Sequence, residues 1–342
     1  MAQAHFTETE HGSSEPGPSD SGARGLFGGR WRGDRGIWRR GIVLACVAVL
    51  LTLTMLFHAQ IPNDIGNLGS LTETFLPWLG IVLIPVLLVL ALLRRSATAL
   101  VVLLLPVIVW FNVFGGLLTD KSATGGDLVV ATHNVNAENP DPVGTAKKVA
   151  ASGADVVALE ELAAGKVSTY TSALAATYPY HSVQGTVGLW SKYPMTSTAP
   201  VDIRLGWVRA MRSTIATPKG KVAVYVAHLP SVRVKLDAGF TASQRDESAD
   251  ALGAAIRREP LHDVVLLGDL NGTMNDRSLN AVTAQMRSTQ GAAGNGFGFS
   301  WPAGFPMARI DQIMVKGADP VSSWTLPRTG SDHLPIAARI RL

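Results

Sequence analysis

Three long apolar blocks near the start of the chain constrain its fold more than any other feature of the sequence. They run over Gly41–Phe57, Phe75–Leu93 and Ala97–Leu118, and none contains Asp, Glu, Lys or Arg. A helix that crosses a bilayer needs about 20 apolar residues; the two longer blocks reach that length, and flanking residues extend the first. Core helices rarely come as three consecutive charge-free blocks, so we expect three transmembrane helices within residues 41–119.

Basic residues around these blocks predict how the chain crosses the membrane. Six arginines precede the first block, the loop after it has no Lys or Arg, and Arg94–Arg95 forms the hinge before the third block. The positive-inside rule places basic segments of this kind in the cytoplasm. We therefore expect a multi-pass cell-membrane protein with a disordered, basic cytoplasmic segment over residues 1–40. Three crossings then leave an extracytoplasmic domain over residues 127–342.

Charge and cysteine content narrow the classes of function. The one cysteine, Cys46, lies inside the first apolar block, so the part after Leu118 contains no disulfide. The chain has a net charge of +4, but the part after Leu118 carries 22 Lys and Arg against 19 Asp and Glu. Nucleic-acid surfaces depend on concentrated Lys and Arg, so this near balance gives little support for such a surface.

From Asp127 onward, short β-branched runs alternate with amphipathic helical segments. The predicted helices are "DPVGTAKKVAASG", "AAGKVSTYTSALAATYP" and "SQRDESADALGAAIRREP". The predicted strands are "DLVVATHNV", "ADVVALEEL", "TVGLWSKYP", "KVAVYVAHLP", "DVVLLGDLNG", "ARIDQIMVKG" and "LPIAARIRL". Strands and helices that intermix in this way favour a layered α/β sandwich with two sheets.

Polar residues recur in or beside these strands, mostly where a strand ends. They are Asn134, Glu161, His228, Asp269, Asn271, Asp311, Asp332 and His333. The step "SDH" before the last strand is, on its own, explained as a polar turn. The whole set is not explained by turn caps, and because a sheet brings strand ends together, we expect one cluster.

The chemistry of this cluster points to a hard metal cation. Carboxylate and amide oxygens without thiolates suit Mg²⁺ or Mn²⁺, and Mg²⁺ completes its shell with water and substrate phosphate. A histidine beside the metal can contact phosphate oxygens or move protons, and a neighbouring Asp fixes its tautomer. The implied reaction is metal-assisted attack of water on phosphorus.

The motifs around these residues resemble, in the expected order, those of the endonuclease/exonuclease/phosphatase superfamily. They are "THNV" (132–135), "ALEEL" (158–162), "AHLP" (227–230), "GDLN" (268–271), "RIDQI" (309–313) and "SDH" (331–333). That superfamily includes DNase I, abasic-site endonucleases, bacterial sphingomyelinases and inositol phosphatases. The resemblance implies a DNase I-like, four-layered α/β sandwich. With its apolar blocks, the chain is similar more narrowly to the actinobacterial teicoplanin-resistance membrane proteins of VanJ type.

The resemblance also implies a metal site. Glu161 rather than Glu160 takes the place of the metal ligand, because "ALEEL" aligns with the "LQE" of the family. Asn134 and Asp332 assist at the metal, which is expected to be Mg²⁺, with Mn²⁺ as an alternative. Glu160 is expected to be a solvent-facing or structural acid.

The catalytic roles follow from the same resemblance. Asp269 orients or deprotonates the attacking water, and Asn271 lies beside it. Asp311 pairs with His333, which contacts the phosphate. His228 matches the second histidine of the family, a phosphate contact and proton donor.

Two positions depart from the family pattern. Ala227 stands where the family has Thr or Asn, which removes a local hydrogen bond to His228. His133 occupies a place often filled by an aromatic residue, and we interpret it as a packed strand residue.

Three functions fit this pattern, and the favoured one is hydrolysis of a membrane lipid, such as a lipid pyrophosphate or phosphodiester of the cell envelope. About nine residues join the third apolar block to the first strand, so the site lies within ~30 Å of its anchor. The aromatic segment Gly294–Phe305 would either dip toward lipid or pack as an ordinary loop. The alternatives are a membrane-tethered extracellular nuclease and an inactive domain that binds phosphorylated ligands. The VanJ-type resemblance implies a link to glycopeptide resistance.

Overall fold

The computed structural model describes residues 36–63, 66–231 and 239–342. Most of the N-terminal segment expected to be disordered lies outside these residues, as do the arginines before residue 36. Within the described part of that segment, Gly36–Arg39 forms a short helix, α1.

The apolar region folds into helices joined by short turns. They are α2 (Ile42–Leu56), α3 (Leu68–Thr74), α4 (Leu76–Trp78), α5 (Ile84–Leu93), α6 (Ala97–Val102) and α7 (Leu104–Phe114). Two continuous helical stretches, Leu76–Leu93 and Ala97–Leu117, are long and apolar enough to cross a membrane. Only 28% and 22% of these stretches is buried inside the protein, a smaller share than in the core helix of a globular domain.

The first apolar block corrects the expectation of three membrane-length helices. Its helix α2 covers 15 residues, fewer than the about 20 that a bilayer requires. Gly41 adopts the left-handed conformation with φ of 89° and begins the helix, and Phe57 leaves the helical region and ends it. Among the described residues, two helices rather than three have the required length.

The remainder of the chain forms two six-stranded mixed sheets. The first has the order β11-β12-β1-β2-β4-β3 and the second the order β5-β6-β7-β8-β10-β9. The strands are β1 (Leu128–Asn134), β2 (Val156–Glu160), β3 (Tyr180–Gln184), β4 (Val187–Ser191), β5 (Met195–Pro200), β6 (Ala210–Thr217), β7 (Gly220–Ala227), β8 (Val264–Asp269), β9 (Arg287–Ser288), β10 (Asp311–Lys316), β11 (Asp319–Thr325) and β12 (Ile336–Arg341). The pairs β1–β2 and β7–β8 are parallel, as expected for strands joined through a helix.

The sheets pack face to face and are covered by helices on their outer sides. Val130 and Val156 of the first sheet meet Val224 and Leu267 of the second in a core that excludes solvent. The outer helices are α8 (Pro142–Ala150), α9 (Val167–Leu174), α10 (Gly239–Arg257) and α11 (Asn280–Thr283), whereas α12 (Thr289–Ala293) contacts β10 of the second sheet and β11 of the first. Separate apolar clusters join α8 and α9 to the first sheet and α10 to the second. The predicted four-layered, DNase I-like α/β sandwich is confirmed.

Strand register decides which polar residues become neighbours. The parallel pair β1–β2 sets Asn134 opposite Glu160, so Glu161 follows directly beside the end of β1. The antiparallel pair β8–β10 sets Asp269 opposite Asp311. The polar ends of both sheets therefore lie at the same edge of the sandwich.

The apolar helices are fastened to this edge of the sandwich. The Trp78 indole N–H donates to the Met307 carbonyl at 2.8 Å, and Nη1 of Arg277 donates to two carbonyls in the loop after α2. Phe299 stacks on Trp78, and Phe297 contacts Trp110. Much of the aromatic segment Gly294–Phe305 thus packs against the apolar helices.

Candidate active site

The predicted polar residues meet at the edge of the sandwich. The amide nitrogen of Asn134 donates to Oε1 of Glu161 at 3.1 Å and to Oδ2 of Asp269 at 3.0 Å. Nε2 of His228 lies 3.5 Å from the same Glu161 oxygen and 3.7 Å from the same Asp269 oxygen. Residues at the ends of four strands, β1, β2, β7 and β8, separated by as many as 135 positions, therefore share one cluster.

His333 and Asp311 form the expected pair beside that cluster. Nδ1 of His333 lies 2.9 Å from Oδ2 and 3.1 Å from Oδ1 of Asp311. Ser300 donates a second hydrogen bond to Asp311 at 2.6 Å, which holds the carboxylate in place. The other ring nitrogen of His333, Nε2, lies 3.9 Å from Oδ2 of Asp269, so the imidazole faces the cluster.

Asn271 and Asp332 complete the predicted set from two loops. The backbone N–H of Asn271 donates to Oδ1 of Asp269 at 2.9 Å, and its side-chain amide donates to the Leu229 carbonyl. Asp332 is exposed, and its Oδ1 accepts from the Asn136 amide at 2.9 Å. The structure thus brings all eight predicted residues to one edge, with Asn271 orienting Asp269 through the backbone.

Backbone conformation at the site is unusual. Asn136, Glu161 and Asn271 have φ of 60°, 57° and 48°, in the left-handed region. Residues other than Gly, Asn and Asp rarely adopt the left-handed conformation, and those that do are often found at functional sites. For Glu161, this conformation at the end of β2 turns the carboxylate toward Asn134 and the backbone N–H of Ala137.

Burial and neighbouring charges set the protonation of Asp269 and His333. Burial raises the pKa of Asp269 to about 7; the negative Asp311 adds to this, and His333 opposes it. Burial lowers the pKa of His333, but Asp311 and Asp269 outweigh it and raise that pKa to about 10. His333 is therefore an imidazolium at neutral pH, and Asp269 is a proton acceptor matched to neutral pH.

His228 is a neutral imidazole. Burial lowers its pKa well below the ordinary value, and the positive charges of Arg209 and His333 lower it further. Its Nδ1 has no hydrogen-bond partner among the residues that the structure describes, which agrees with the alanine at position 227. Nε2, which faces Glu161 and Asp269, is the nitrogen that serves the site.

The ligand chemistry of the cluster fits a hard divalent cation. Asp269, Asp311 and His333 form a close group, with one ligand atom from each within 4.8 Å of the other two. His333 is protonated and pairs with these carboxylates, so the oxygens open to a cation belong to neighbouring residues. Glu161 and Asp332 are accessible carboxylates that line the same cavity. Several carboxylates lie close together in a largely buried place, and the raised pKa of Asp269 shows that its negative charge is unfavourable there. A bound divalent cation would stabilise these negative charges.

The two other residues weighed from the sequence are structural. Glu160 is fully buried and accepts a hydrogen bond from Thr132 at 2.6 Å; burial raises its pKa well above the usual range. It is thus a structural acid and not a solvent-facing one. His133 is buried against Thr329 at 2.8 Å, and burial lowers its pKa to about 3, so it is a packed, neutral strand residue.

Sequence reasoning missed Arg209. The Arg209 guanidinium interacts electrostatically with Asp269 and Glu161. It lies 5.0 Å from the ring centroid of Trp207. The Arg209 carbonyl accepts a hydrogen bond from the backbone N–H of His228. Its Nε has no partner in the described part of the chain. No motif surrounds Arg209 in the sequence, and its relation to the site follows from the pairing of β6 with β7.

Comparison with known families identifies this arrangement. The model of the Endonuclease/Exonuclease/phosphatase family matches residues 131–333, more than half of the chain. The chain belongs to that family. The match includes all eight residues of the cluster, from Asn134 to His333. Members of the endonuclease/exonuclease/phosphatase family are phosphoesterases and nucleases, so the protein is placed among hydrolases of phosphate esters.

Several solved structures share the fold. An endonuclease/exonuclease/phosphatase from Bacteroides vulgatus aligns with a TM-score of 0.54 and 17% identity, over 64% of this chain and 100% of that one. The structure of D. rerio TDP2 complexed with single strand DNA product aligns with a TM-score of 0.54 and 16% identity, over 64% of this chain and 100% of that one. The Bacteroides thetaiotaomicron mannosyl-6-phosphatase aligns with a TM-score of 0.52 and 16% identity, over 63% of this chain and 100% of that one. No curated protein matches the sequence.

Proposed function

We propose that this protein is a membrane-anchored, metal-dependent phosphohydrolase with an extracytoplasmic active site. Its proposed substrate is a lipid-linked pyrophosphate or phosphodiester of the cell envelope. One observation carries the proposal: the catalytic cluster of the family lies at the edge to which the apolar helices are fastened, through Trp78 and Arg277. A substrate embedded in the same membrane would be presented at that edge.

The metal in this proposal is Mg²⁺, with Mn²⁺ as an alternative. Glu161 and Asp332 would hold it, and Asn134 would keep Glu161 and Asp269 in place through its two hydrogen bonds. A bound divalent cation neutralises phosphate charge and stabilises the charge that develops on the reacting phosphorus centre.

The side chains of the cluster divide the remaining work. Asp269, held by Asn134 and the Asn271 backbone, orients the attacking water and accepts its proton. The His333 imidazolium, fixed by Asp311, binds a phosphate oxygen. His228, neutral and directed at the cluster, donates a hydrogen bond from Nε2–H to the phosphate; because a neutral imidazole does not release that proton, the leaving oxygen takes its proton from solvent water. The water oxygen bonds to phosphorus as the bond to the leaving group breaks.

The path of the chain between the apolar helices and β1 supports a substrate at the membrane surface. Lys121 donates from its backbone to the Gly294 carbonyl, and Ala123 donates to the Val321 carbonyl at 2.8 Å. The linker is therefore bound along the sandwich. This keeps the catalytic edge close to the ends of the apolar helices.

A membrane-tethered nuclease is the second candidate. The neighbour from D. rerio is described with a single-stranded DNA product, which favours this reading. The near balance of 22 basic and 19 acidic residues after Leu118 argues against it, because phosphate-backbone binding relies on excess Lys and Arg.

The proposed physiological role is glycopeptide resistance of VanJ type, and it requires that the lipid substrate be a carrier of cell-wall synthesis.

The test of the proposed chemistry uses the full-length protein in lipid nanodiscs and bis(p-nitrophenyl) phosphate. We expect hydrolysis with Mg²⁺ or Mn²⁺, loss of activity in EDTA, and recovery when Mg²⁺ is restored. His333→Ala should lower turnover about a hundredfold or more, the scale of one acid–base or charge-stabilising group. Full turnover after exhaustive chelation would contradict the mechanism.

A further inference from the structure

The cavity over the catalytic cluster is built partly from outside the sandwich. It has a volume of about 300 Å³, and one side is lined by Glu161, Asp269 and His333. The lining also includes Ser70, Leu71, Thr74 and Phe75, which belong to α3 and the residue that follows it. The segment between the first two apolar helices is therefore a wall of the active site.

Part of this wall is an apolar patch. Leu71 lies on α3, and Phe75 directly follows the helix, where its backbone N–H donates to the Leu71 carbonyl at 3.1 Å and keeps the two residues on the same side of the segment. Trp301 and Ile310, from the loop before β10, line the same cavity and extend the apolar surface. A phosphate held at the cluster thus has an apolar surface directly beside it.

The wall is fixed in place by buried polar contacts. Arg245 is fully buried, donates to Oγ of Ser70 at 3.0 Å, and forms an ion pair with Asp276 at 2.8 Å. The same guanidinium donates to the Asn271 carbonyl at 2.9 Å, and Thr273 donates to the Glu73 carbonyl. The segment is thus joined to the loop that carries Asn271.

This wall is an addition to the family fold. Helix α3 lies before residue 131, where the family match begins. The structural neighbours are aligned over their full length by 64% of this chain, so about a third of the chain has no counterpart in them. The extra segment therefore gives this chain a surface beside the site that the shared sandwich lacks.

We propose that Leu71 and Phe75, together with Trp301 and Ile310, form a subsite for the apolar chain of an amphiphilic phosphate substrate. The phosphate binds the catalytic cluster, and the first apolar groups next to it pack against the wall and leave water. The segment between the apolar helices therefore determines specificity as well as joining them. This inference rests on the proposed function, because it concerns the substrate of the same hydrolytic site.

The test compares two esters with the same reacting bond, p-nitrophenyl dodecyl phosphate and p-nitrophenyl ethyl phosphate. Hydrolysis of each breaks the bond between phosphorus and the nitrophenyl oxygen and releases p-nitrophenolate, so only the apolar chain differs. The measured quantity is the ratio of kcat/KM for the dodecyl ester over the ethyl ester, with full-length protein in nanodiscs. Partition of the dodecyl ester into lipid is the same for every variant and cancels in the comparison.

Phe75→Ala and Leu71→Ala should each lower this ratio about tenfold, the effect of lost apolar contacts in a binding pocket. Phe75→Leu should retain most of it. The matched control is Leu68→Ala, because Leu68 lies on the same helix, is 48% exposed and does not line the cavity. The control should keep the wild-type ratio.

The outcomes separate the subsite from the proposed function. An unchanged ratio in Phe75→Ala and Leu71→Ala, or a fall as large in Leu68→Ala, would overturn the subsite while leaving a hydrolase. A second measurement titrates dodecylphosphonate and ethylphosphonate against wild type and Phe75→Ala. Tighter binding of the dodecyl compound that Phe75→Ala abolishes, without turnover of either ester, would support the subsite and overturn the hydrolase. Equal binding of both phosphonates by the wild type would contradict the subsite.

Discussion

Nδ1 of His333 lies 2.9 Å from Oδ2 of Asp311, and this contact gives a buried imidazole a positive charge at neutral pH. Without the carboxylates, burial alone would lower the pKa of His333, whereas Asp311 and Asp269 raise it to about 10. The charge that we propose to bind a phosphate oxygen thus depends on a residue that need not touch the substrate.

The first prediction concerns the pH dependence that this pair creates. A raised pKa keeps His333 protonated as the pH increases toward about 10. Asp311→Asn removes the negative charge, so the imidazolium is lost at lower pH. We expect the alkaline limb of kcat/KM to move to lower pH in this variant. An alkaline limb unchanged from wild type would show that the charge of His333 does not control the reaction.

The second prediction compares two neighbouring glutamates, Glu161, which lines the cavity, and Glu160, which is buried. Glu161→Gln should raise the Mg²⁺ concentration needed for half-maximal activity and lower kcat, because Glu161 lines the cavity. Glu160→Gln should change both values little, because Glu160 is buried against Thr132 and its raised pKa favours a neutral group. Mg²⁺ activation curves for both variants measure the difference. A large loss of activity in Glu160→Gln with a small loss in Glu161→Gln would show that Glu160, not Glu161, is the metal ligand.

The third prediction concerns the attachment of α3 to the sandwich. Arg245→Met leaves Asp276 buried without its ion-pair partner and removes the bond to Ser70. Removing one partner of a buried pair costs about 3–5 kcal/mol, so the free energy of unfolding should fall by that order. The control is Arg257→Met on the same helix, where the side chain is exposed. Denaturant unfolding in nanodiscs is the measurement, and equal stability of both variants would contradict the account.

The fourth prediction concerns topology. The loop after α2 and the chain after α7 both contact the sandwich, so they lie on one side of any membrane that the apolar helices cross. The Arg94–Arg95 hinge should lie on the other side, in the cytoplasm. A reporter fused after Leu342 that is active only outside the cytoplasm should give signal. Signal from a cytoplasm-specific reporter there would reverse the orientation.

Much of the catalytic half of the fold could be predicted from the sequence. The β-branched runs of β1, β2, β7, β8 and β10 are mostly buried, and a polar residue stands out at one end of each: the last residue of β1, β2 and β8, the residue after β7, and the first residue of β10. Edge strands such as β3 and β5 were missed, because none of their residues is fully buried and their sequences therefore resemble loops. The length of α2 was overestimated, since hydrophobicity alone does not reveal where Gly41 and Phe57 interrupt the helix.

The predicted site was incomplete for a physical reason. Motifs report residues that lie near one another in sequence or at strand ends, whereas Arg209 and Phe75 reach the site through tertiary packing. The contact of Arg245 with Ser70 spans 175 positions, and nothing local to either residue signals it. For the same reason, the opposite environments of Glu160 and Glu161 became clear only from the backbone turn at Glu161, with φ of 57°.

The most direct test of the lipid assignment measures two substrates side by side. Full-length protein in liposomes, at equal enzyme and Mg²⁺, is given either a polyprenyl pyrophosphate in the bilayer or supercoiled plasmid DNA in solution. The proposed anchor would confine the site to within ~30 Å of the apolar helices and so raise its effective concentration toward lipid. We predict phosphate release from the lipid much faster than plasmid nicking, with both activities lost in His333→Ala. Efficient nicking of DNA with no turnover of the lipid would contradict the account and establish a tethered nuclease.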